Sequence, residues 1–317
     1  MRAGNINKAI FQDEAKAREW LETRIWPNGP VCPHCGCTDD SVTKLLGEAH
    51  RAGLYQCNGC REQFTVTVGT LFERSKIPLN KWLMALFLLM SSKKGMSAHQ
   101  VSRMLDVSYK STWFMMHRLR EALREGKFAS PLGGEGKIVE ADETYIGGKE
   151  KNKHRNKRVK GNIGGKGKEA VFALVERGGS VRSQHIPEVN GKTLRPILVS
   201  QVDRKSFLMT DDAGQYFHVG KEYAGHETVN HGAGEYVRGE AHTNTIEGYF
   251  SILKRGITGT YHHVSQQHLK RYLGEFDFRY NERSGLGVND VERMEKAIVG
   301  IKGKRLTYRR TDKTANA

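Results

Sequence analysis

The sequence predicts an α/β domain preceded by a small metal-binding module and a helical module, and three observations carry that expectation. All five cysteines fall at positions 32, 35, 37, 57 and 60, with none in the rest of the 317-residue chain. A helical stretch from Lys76 to about Glu125 is interrupted by one brief polar turn. Beyond Gly136, apolar runs of strand length alternate with helical stretches, and two of those runs end in aspartate.

Residues 1–30 read as an amphipathic helix with Ile10, Ala17, Trp20, Leu21 and Ile25 turned inward. Residues 31–72 hold Cys32-x2-Cys35 and Cys57-x2-Cys60, with 21 residues between the pairs. Each pair closes a knuckle whose thiolates converge, and two knuckles complete a tetrahedral four-sulfur site for structural Zn2+. Gly36 and Gly59 sit where knuckles need permissive backbone, Cys37 is a bystander, and residues 63–68 alternate as a strand. That is the outline of a zinc ribbon; two redox CxxC motifs would need a thioredoxin-like βαβ context that is missing here.

Residues 73–127 are helical. Leu79-Asn80-Lys81-Trp82 opens one helix, Ser97 caps a short one over 98–105, and a turn through Asp106-Val107-Ser108 leads to a third that runs to Leu123. Val101, Leu105, Val107, Trp113, Met116 and Leu119 supply a buried seam. A short helix, a tight turn and a longer helix make a helix-turn-helix, with Ser108, Tyr109, Lys110 and Ser111 facing a groove or phosphates. A plain three-helix bundle has the same outline; the basic chain around it favours DNA.

Residues 128–136 read as a linker, and 137–285 as the α/β domain. Strands are expected at 137–142, 169–176, 181–189 and 206–211, with a hairpin at Gly178-Gly179 and helices at 193–201, 241–256 and 265–280. The loop 149–168 has nine Lys or Arg against one Glu, and Lys157 and Arg158 within it are candidate phosphate contacts. Residues 286–317 are left as a basic tail.

Lys plus Arg number 51 against 35 Asp plus Glu, a formal net charge of +16. Such an excess points to a polyanion, because Lys and Arg along phosphates release condensed counterions. At 38% hydrophobic residues the chain is globular rather than disordered. Its most apolar run, Trp82 to Met90, is nine residues, and its start lacks a signal-peptide core. A cytoplasmic location, on the nucleoid when bound to DNA, is therefore expected, with no membrane and no small-molecule substrate.

Asp142 and Asp211 each follow an apolar run, where polar groups of an α/β sheet converge on ligands. Glu247 follows Asp211 after 35 intervening residues, on the helix that also carries Asn244, Lys254 and Arg255. Glu247 and Lys254 are about two turns apart and share a face, as does Asn244 one turn earlier. Three carboxylates gathered by a fold repel one another unless cations offset them, and hard oxygen ligands suit Mg2+ or Mn2+. A solvent-facing stripe on a surface helix would show the same spacing. Glu143 should point to the face of its strand opposite Asp142.

The order zinc ribbon, helix-turn-helix, ADETYIGGK, LMTDDAGQY and HTNTIEGYFSILKRGITGTYHHVS resembles the DDE transposases of bacterial insertion sequences, in the group with an N-terminal zinc ribbon. The resemblance spans residues 15 to 285. It implies an RNase H-like catalytic domain, two divalent ions (Mg2+ or Mn2+), and cleavage and strand transfer at the element's terminal inverted repeats. It makes Asp142, Asp211 and Glu247 the metal triad, with Lys254 and Arg255 on DNA. The group often has Asn at the third position, which here falls on Asn244; the charge a Mg2+ ligand must carry favours Glu247. Transposon-end and target DNA are the implied partners, bound by a homodimer or higher assembly that pairs two ends. A nuclease of this fold that cuts without joining, or a zinc-ribbon regulator without catalysis, would share many of these residues.

Overall fold

A computed structural model of the chain describes residues 6–124, 130–148, 154–157, 167–229 and 242–307. The chain divides into two compact units, one built from residues 1–124 and 283–317 and the other from 125–282. In the first, the expected N-terminal helix is two, α1 (Ala9–Gln12) and α2 (Glu14–Ile25). The break falls at Asp13, whose extended backbone ends α1 and whose carboxylate accepts from the Lys16 amide to cap α2. Ala17, Leu21 and Ile25 face inward as expected, while Phe11 rather than Ile10 is buried ahead of them.

Next come three short antiparallel strands, β1 (Val42–Lys44), β2 (Tyr55–Cys57) and β3 (Gln63–Phe64), in that order. The expected strand over 63–68 stops after Phe64 because the chain turns back on itself. The Val68 amide donates to Thr65 O at 3.0 Å and the two hydroxyls of Thr65 and Thr67 pair at 2.9 Å. Three helices follow: α3 (Leu79–Ser91), α4 (Ala98–Leu105) and α5 (Tyr109–Ala122). Ser97 and Ser108 cap α4 and α5, and Asp106 ends α4 in the left-handed region at φ 48°. The helix–turn–helix outline is therefore present, its seam formed by Val101, Leu105, Met115, Met116 and Leu119.

The basic tail expected over 286–317 is not only a tail. Asn289 opens a further helix, α9 (Asp290–Val299), through a reciprocal capping box with Glu292. Met294, Ala297 and Ile298 are buried in the first unit, and the Arg293 guanidinium donates to Met90 O at 2.9 Å. Gly300 approaches so closely that a Cβ there would meet Ala122 O at 2.3 Å. Lys304 then donates to the carbonyls of Glu121, Ala122 and Arg124 at 3.1, 2.9 and 2.7 Å, so a cation closes the C-terminus of α5. Lys304→Met is expected to lower the stability of this unit by about 2 kcal/mol, since three carbonyls lose one charged donor. A denaturant midpoint followed through Trp fluorescence would read it.

The second unit is a five-stranded sheet in the order β6-β5-β4-β7-β8, with β4 (Ile138–Ile146), β5 (Glu169–Glu176), β6 (Val181–Ile186), β7 (Phe207–Asp211) and β8 (Gly225–Val229). β4, β5 and β6 are antiparallel neighbours, while β7 and β8 continue the sheet in parallel. β5 is apolar on both faces because both are covered. Ala170, Phe172 and Leu174 pack with Leu194 and Leu198 of α6 (Gly191–Gln201). Val171, Ala173 and Val175 pack with α7 (Asn244–Gly256) and α8 (Gln266–Asn281), through Ile246, Tyr249, Leu253, Leu273 and Phe276. A π-helical turn, Ile257–Tyr261, extends α7.

Two expectations need correcting. The stretch placed in a linker over 128–136 is docked where it is described: Leu132 is buried and exchanges hydrogen bonds with Gln201 O and the Asp203 amide, at 2.7 and 2.8 Å. Gly133, at φ +86°, lies so close to Ser206 and Val139 that no side chain would fit. β4 also runs past Asp142 to Ile146, so Asp142 is mid-strand, although recorded pairing with β7 ends at Glu140. Strand β8 was not expected at all. Among the described residues no helix is long and apolar enough to cross a membrane.

Candidate active site

Register brings the two aspartates together. β4 pairs in parallel with β7 as Ile138–Phe207, Val139–Leu208 and Glu140–Met209; Asp142 and Asp211 each lie two residues beyond the last pair, and the charge of Asp211 reaches the Asp142 carboxyl. Neighbouring strands lie about 4.8 Å apart. Both side chains belong to the face covered by α7: Ala141 and Leu208 point to the α6 layer, so Asp142, one residue on, and Asp211, three residues on, point away from it. Ile246, Tyr249, Phe250 and Leu253 seat α7 on that face, and the opposite edge of the helix carries Glu247, Ser251, Lys254 and Arg255. Asp142, Glu143, Thr144 and Glu247, together with Phe250, Ser251, Lys254 and Arg255, line one open groove of about 460 Å³.

The electrostatics are those of crowded acids. Burial pushes the Asp142 carboxyl up to about 7, opposed by the Glu143 amide that donates to it at 2.7 Å and reinforced by the charges of Glu143, Asp211 and Glu247. Glu143 is also pushed up to about 7, first by burial, against a hydrogen bond from the Tyr216 hydroxyl at 2.6 Å, and then by Asp211. That bond anchors Glu143 on the α6 side, as strand alternation requires, while leaving it at the groove wall. Asp211 accepts from the Ala213 amide at 3.2 Å. Asn244 is the first residue of α7, exposed, and outside the groove lining.

The cysteines converge more tightly. One sulfur from each of Cys32, Cys35, Cys57 and Cys60 lies within 4.8 Å of the others, the only such set of three or more His, Cys, Asp or Glu ligands among the described residues. Cys32 and Cys60 are 3.7 Å apart and Cys35 and Cys57 3.5 Å, close to the ~3.8 Å edge of a tetrahedron with 2.3 Å metal–sulfur bonds and far from the ~2.05 Å of a disulfide. Amide bonds from Gly36 to Cys32 O and from Arg61 to Cys57 O shape the knuckles. The donor set fits structural Zn2+. Gly59 has no room for a Cβ, which would lie 2.9 Å from the Cys37 sulfur.

Of the candidate DNA contacts, Tyr109, Lys110 and Ser111 are exposed on the first turn of α5, where His99 stacks on Tyr109 at 3.9 Å. Ser108 is the cap of that helix. Lys254 and Arg255 are exposed at the groove. Lys157 ends a short turn, Arg155–Lys157, and Arg158 lies outside the described residues. His242 joins Arg177 at 3.1 Å beside the fully buried Glu140. The sequence signal for Glu140 is an acid inside the apolar run Ile138-Val139-Glu140-Ala141; Arg177 carries no local signal.

Three antiparallel strands continued by two parallel ones make an RNase H-like sheet, the fold on which DDE transposases carry their acids. The sequence profile of the ISXO2-like transposase domain matches residues 131–281, and that of a transposase zinc-ribbon domain matches 12–63. A protein of Halobacterium salinarum described as an uncharacterized protein in transposable element ISH50 is 31% identical over 281 residues, covering 85% of this chain and 91% of that one. The chain belongs to the ISXO2-like transposases of insertion sequences, and it is a DDE-type enzyme with an N-terminal zinc ribbon. Likeness to solved structures is weak. A pre-cleavage Mos1 transpososome gives a TM-score of 0.29 at 12% identity, over 68% of this chain and 73% of that one. A simian T-cell lymphotropic virus intasome bound to PP2A regulatory subunit B56 gamma gives 0.27 at 13%, over 56% and 67%.

Proposed function

We propose that Asp142, Asp211 and Glu247 hold two Mg2+ or Mn2+ ions and that the chain cuts and joins DNA at the terminal inverted repeats of its element. The observation that supports this reading is that Asp142 shares a groove with Glu247 and feels the charges of both Glu247 and Asp211, the latter on the neighbouring parallel strand. The donors suit such ions: they are hard carboxylate oxygens, and one is held near neutrality by burial and by its acidic neighbours. Bound there, the ions would activate water or a 3′-hydroxyl and stabilise the leaving oxygen. Lys254 shares the face of Glu247 and binds the phosphate alongside by charge. The first turn of α5, with Ser108, Tyr109, Lys110 and Ser111, reads the terminal repeats, and Lys157, Arg158 and Arg255 add phosphate contacts. Two ends must be paired, so the working form on DNA is at least a dimer in the cytoplasm.

The test is cleavage of a labelled repeat end with Mg2+, followed by its joining to plasmid DNA; a nuclease that only cuts would give no joined product. For the third acid, Glu247→Ala is expected to lose cleavage by at least about a hundredfold. Asn244→Ala, outside the groove lining, is expected to stay within about tenfold of the parent. Loss in the Asn244 variant alone would move the third ligand to that position.

A further inference from the structure

We infer that Glu140 is a positioning residue that locks the catalytic helix to the catalytic strand. The inference rests on the reading of Asp142, Asp211 and Glu247 given above. Helix α7 starts without a side-chain cap of its own: its N-cap residue, Thr243, makes no cap hydrogen bond. The cap comes from another element. Glu140, wholly buried on β4, accepts from the Ile246 amide at 2.9 Å and from the Thr245 hydroxyl at 2.9 Å. A carboxylate is well suited to a helix N-terminus, where it meets amides left without helical partners and the positive end of the dipole.

The rest of the cluster holds that carboxylate still. Arg177, from the turn between β5 and β6, donates to Glu140 at 2.6 Å and to His242 O at 2.8 Å, so one guanidinium grips both the cap and the chain entering α7. His242 Nδ1 is 3.4 Å from the same carboxylate oxygen. Position decides the consequence. Glu140 precedes Asp142 by two residues on the same face of β4, and Ile246 immediately precedes Glu247. The bond from Ile246 to Glu140 therefore ties the backbones bearing two of the three acids. A buried ion pair is a weak source of stability compared with well-packed apolar groups, so its place beside the groove is better explained by the geometry it fixes.

The experiment compares Glu140→Gln with Glu275→Gln in the full-length, zinc-loaded chain. Glu275 is an equally buried carboxylate, bound by Tyr261 and Arg279 on α8 and outside the groove lining. Mn2+ binding is titrated by electron paramagnetic resonance without DNA, and single-turnover end cleavage is measured beside it. Glu140→Gln is expected to weaken Mn2+ binding and slow cleavage by about 10- to 100-fold, as for other groups that orient metal ligands. Glu275→Gln is expected to lower only the melting temperature. Equal Mn2+ affinity in Glu140→Gln and the parent overturns the inference, whatever the change in melting temperature. Asp142→Asn is run as the reference: retained Mn2+ binding there overturns the reading of the acids, whereas loss there beside parental affinity in Glu140→Gln overturns this inference alone. Should Glu140→Gln not fold, Thr245→Ala removes one of its partners and is expected to weaken Mn2+ binding about three- to tenfold; no change would overturn the proposal equally.

Discussion

Asp142→Asn is expected to abolish Mg2+-dependent end cleavage, by at least about a thousandfold, while making the metal-free protein more stable at pH 8. The two effects share a cause. Ionised Asp142 is buried among Glu143, Asp211 and Glu247, an arrangement useful only when a cation offsets it. The amide keeps the shape and removes the charge. The sign follows from the raised carboxyl. In the unfolded chain an aspartate loses its proton near pH ~4, whereas in the folded chain Asp142 holds it to about 7. Between those values the folded state binds more protons, so stability falls as pH rises through the window and levels off above it. Glu143, also raised to about 7, adds to the same slope.

A displacement of about three pH units corresponds to at most ~4 kcal/mol, and hydration of the open groove reduces what is felt to roughly 2 kcal/mol. The variant should therefore gain roughly 2 kcal/mol over the parent at pH 8 and almost nothing at pH 4, as read by denaturant midpoints without divalent ions. Added Mg2+ should reverse the order at pH 8, because it stabilises only the protein that binds it. A variant less stable than its parent at pH 8 without metal would mean that Asp142 is held by partners that reward its charge.

What the sequence made legible follows the physics of each element. Helices α4 and α5 were readable to within a residue or two because Ser97 and Ser108 cap them and Asp106 breaks between them. Strand β5 was readable because it is buried on both faces and is apolar throughout. Strand β8 was not: it is an edge strand with His226 and Glu227 in it, and its pairing with β7 rather than its composition makes it a strand. At the site, the pattern of an apolar run into aspartate drew out Asp142 and Asp211 as candidates, yet the pairing of their strands depends on register, which local pattern does not specify between distant segments. Glu140 escaped for the same reason. Its partners Arg177, Thr245 and Ile246 lie 37, 105 and 106 residues away.

Removal of zinc is expected to unfold the ribbon outright. Its sheet has strands of three, three and two residues, too little for a stable sheet without an additional constraint. What packs there is a small aromatic cluster, Tyr55 stacked on Phe64 at 5.8 Å with Trp26 edge-on to both. Four thiolates drawn within 4.8 Å would repel one another without a cation, whereas zinc bound to such a set contributes about 10–16 kcal/mol at neutral pH. A strong chelator, or Cys57→Ser, should therefore erase amide protection across residues 31–72 and leave that of β4 and β5, which have their own core in the second unit. Cys37→Ser is the control. Its sulfur is outside the four-ligand set, so one equivalent of zinc should remain bound and protection should persist. Zinc lost from Cys37→Ser and retained by Cys57→Ser would show that the fifth cysteine, not Cys57, completes the tetrahedron.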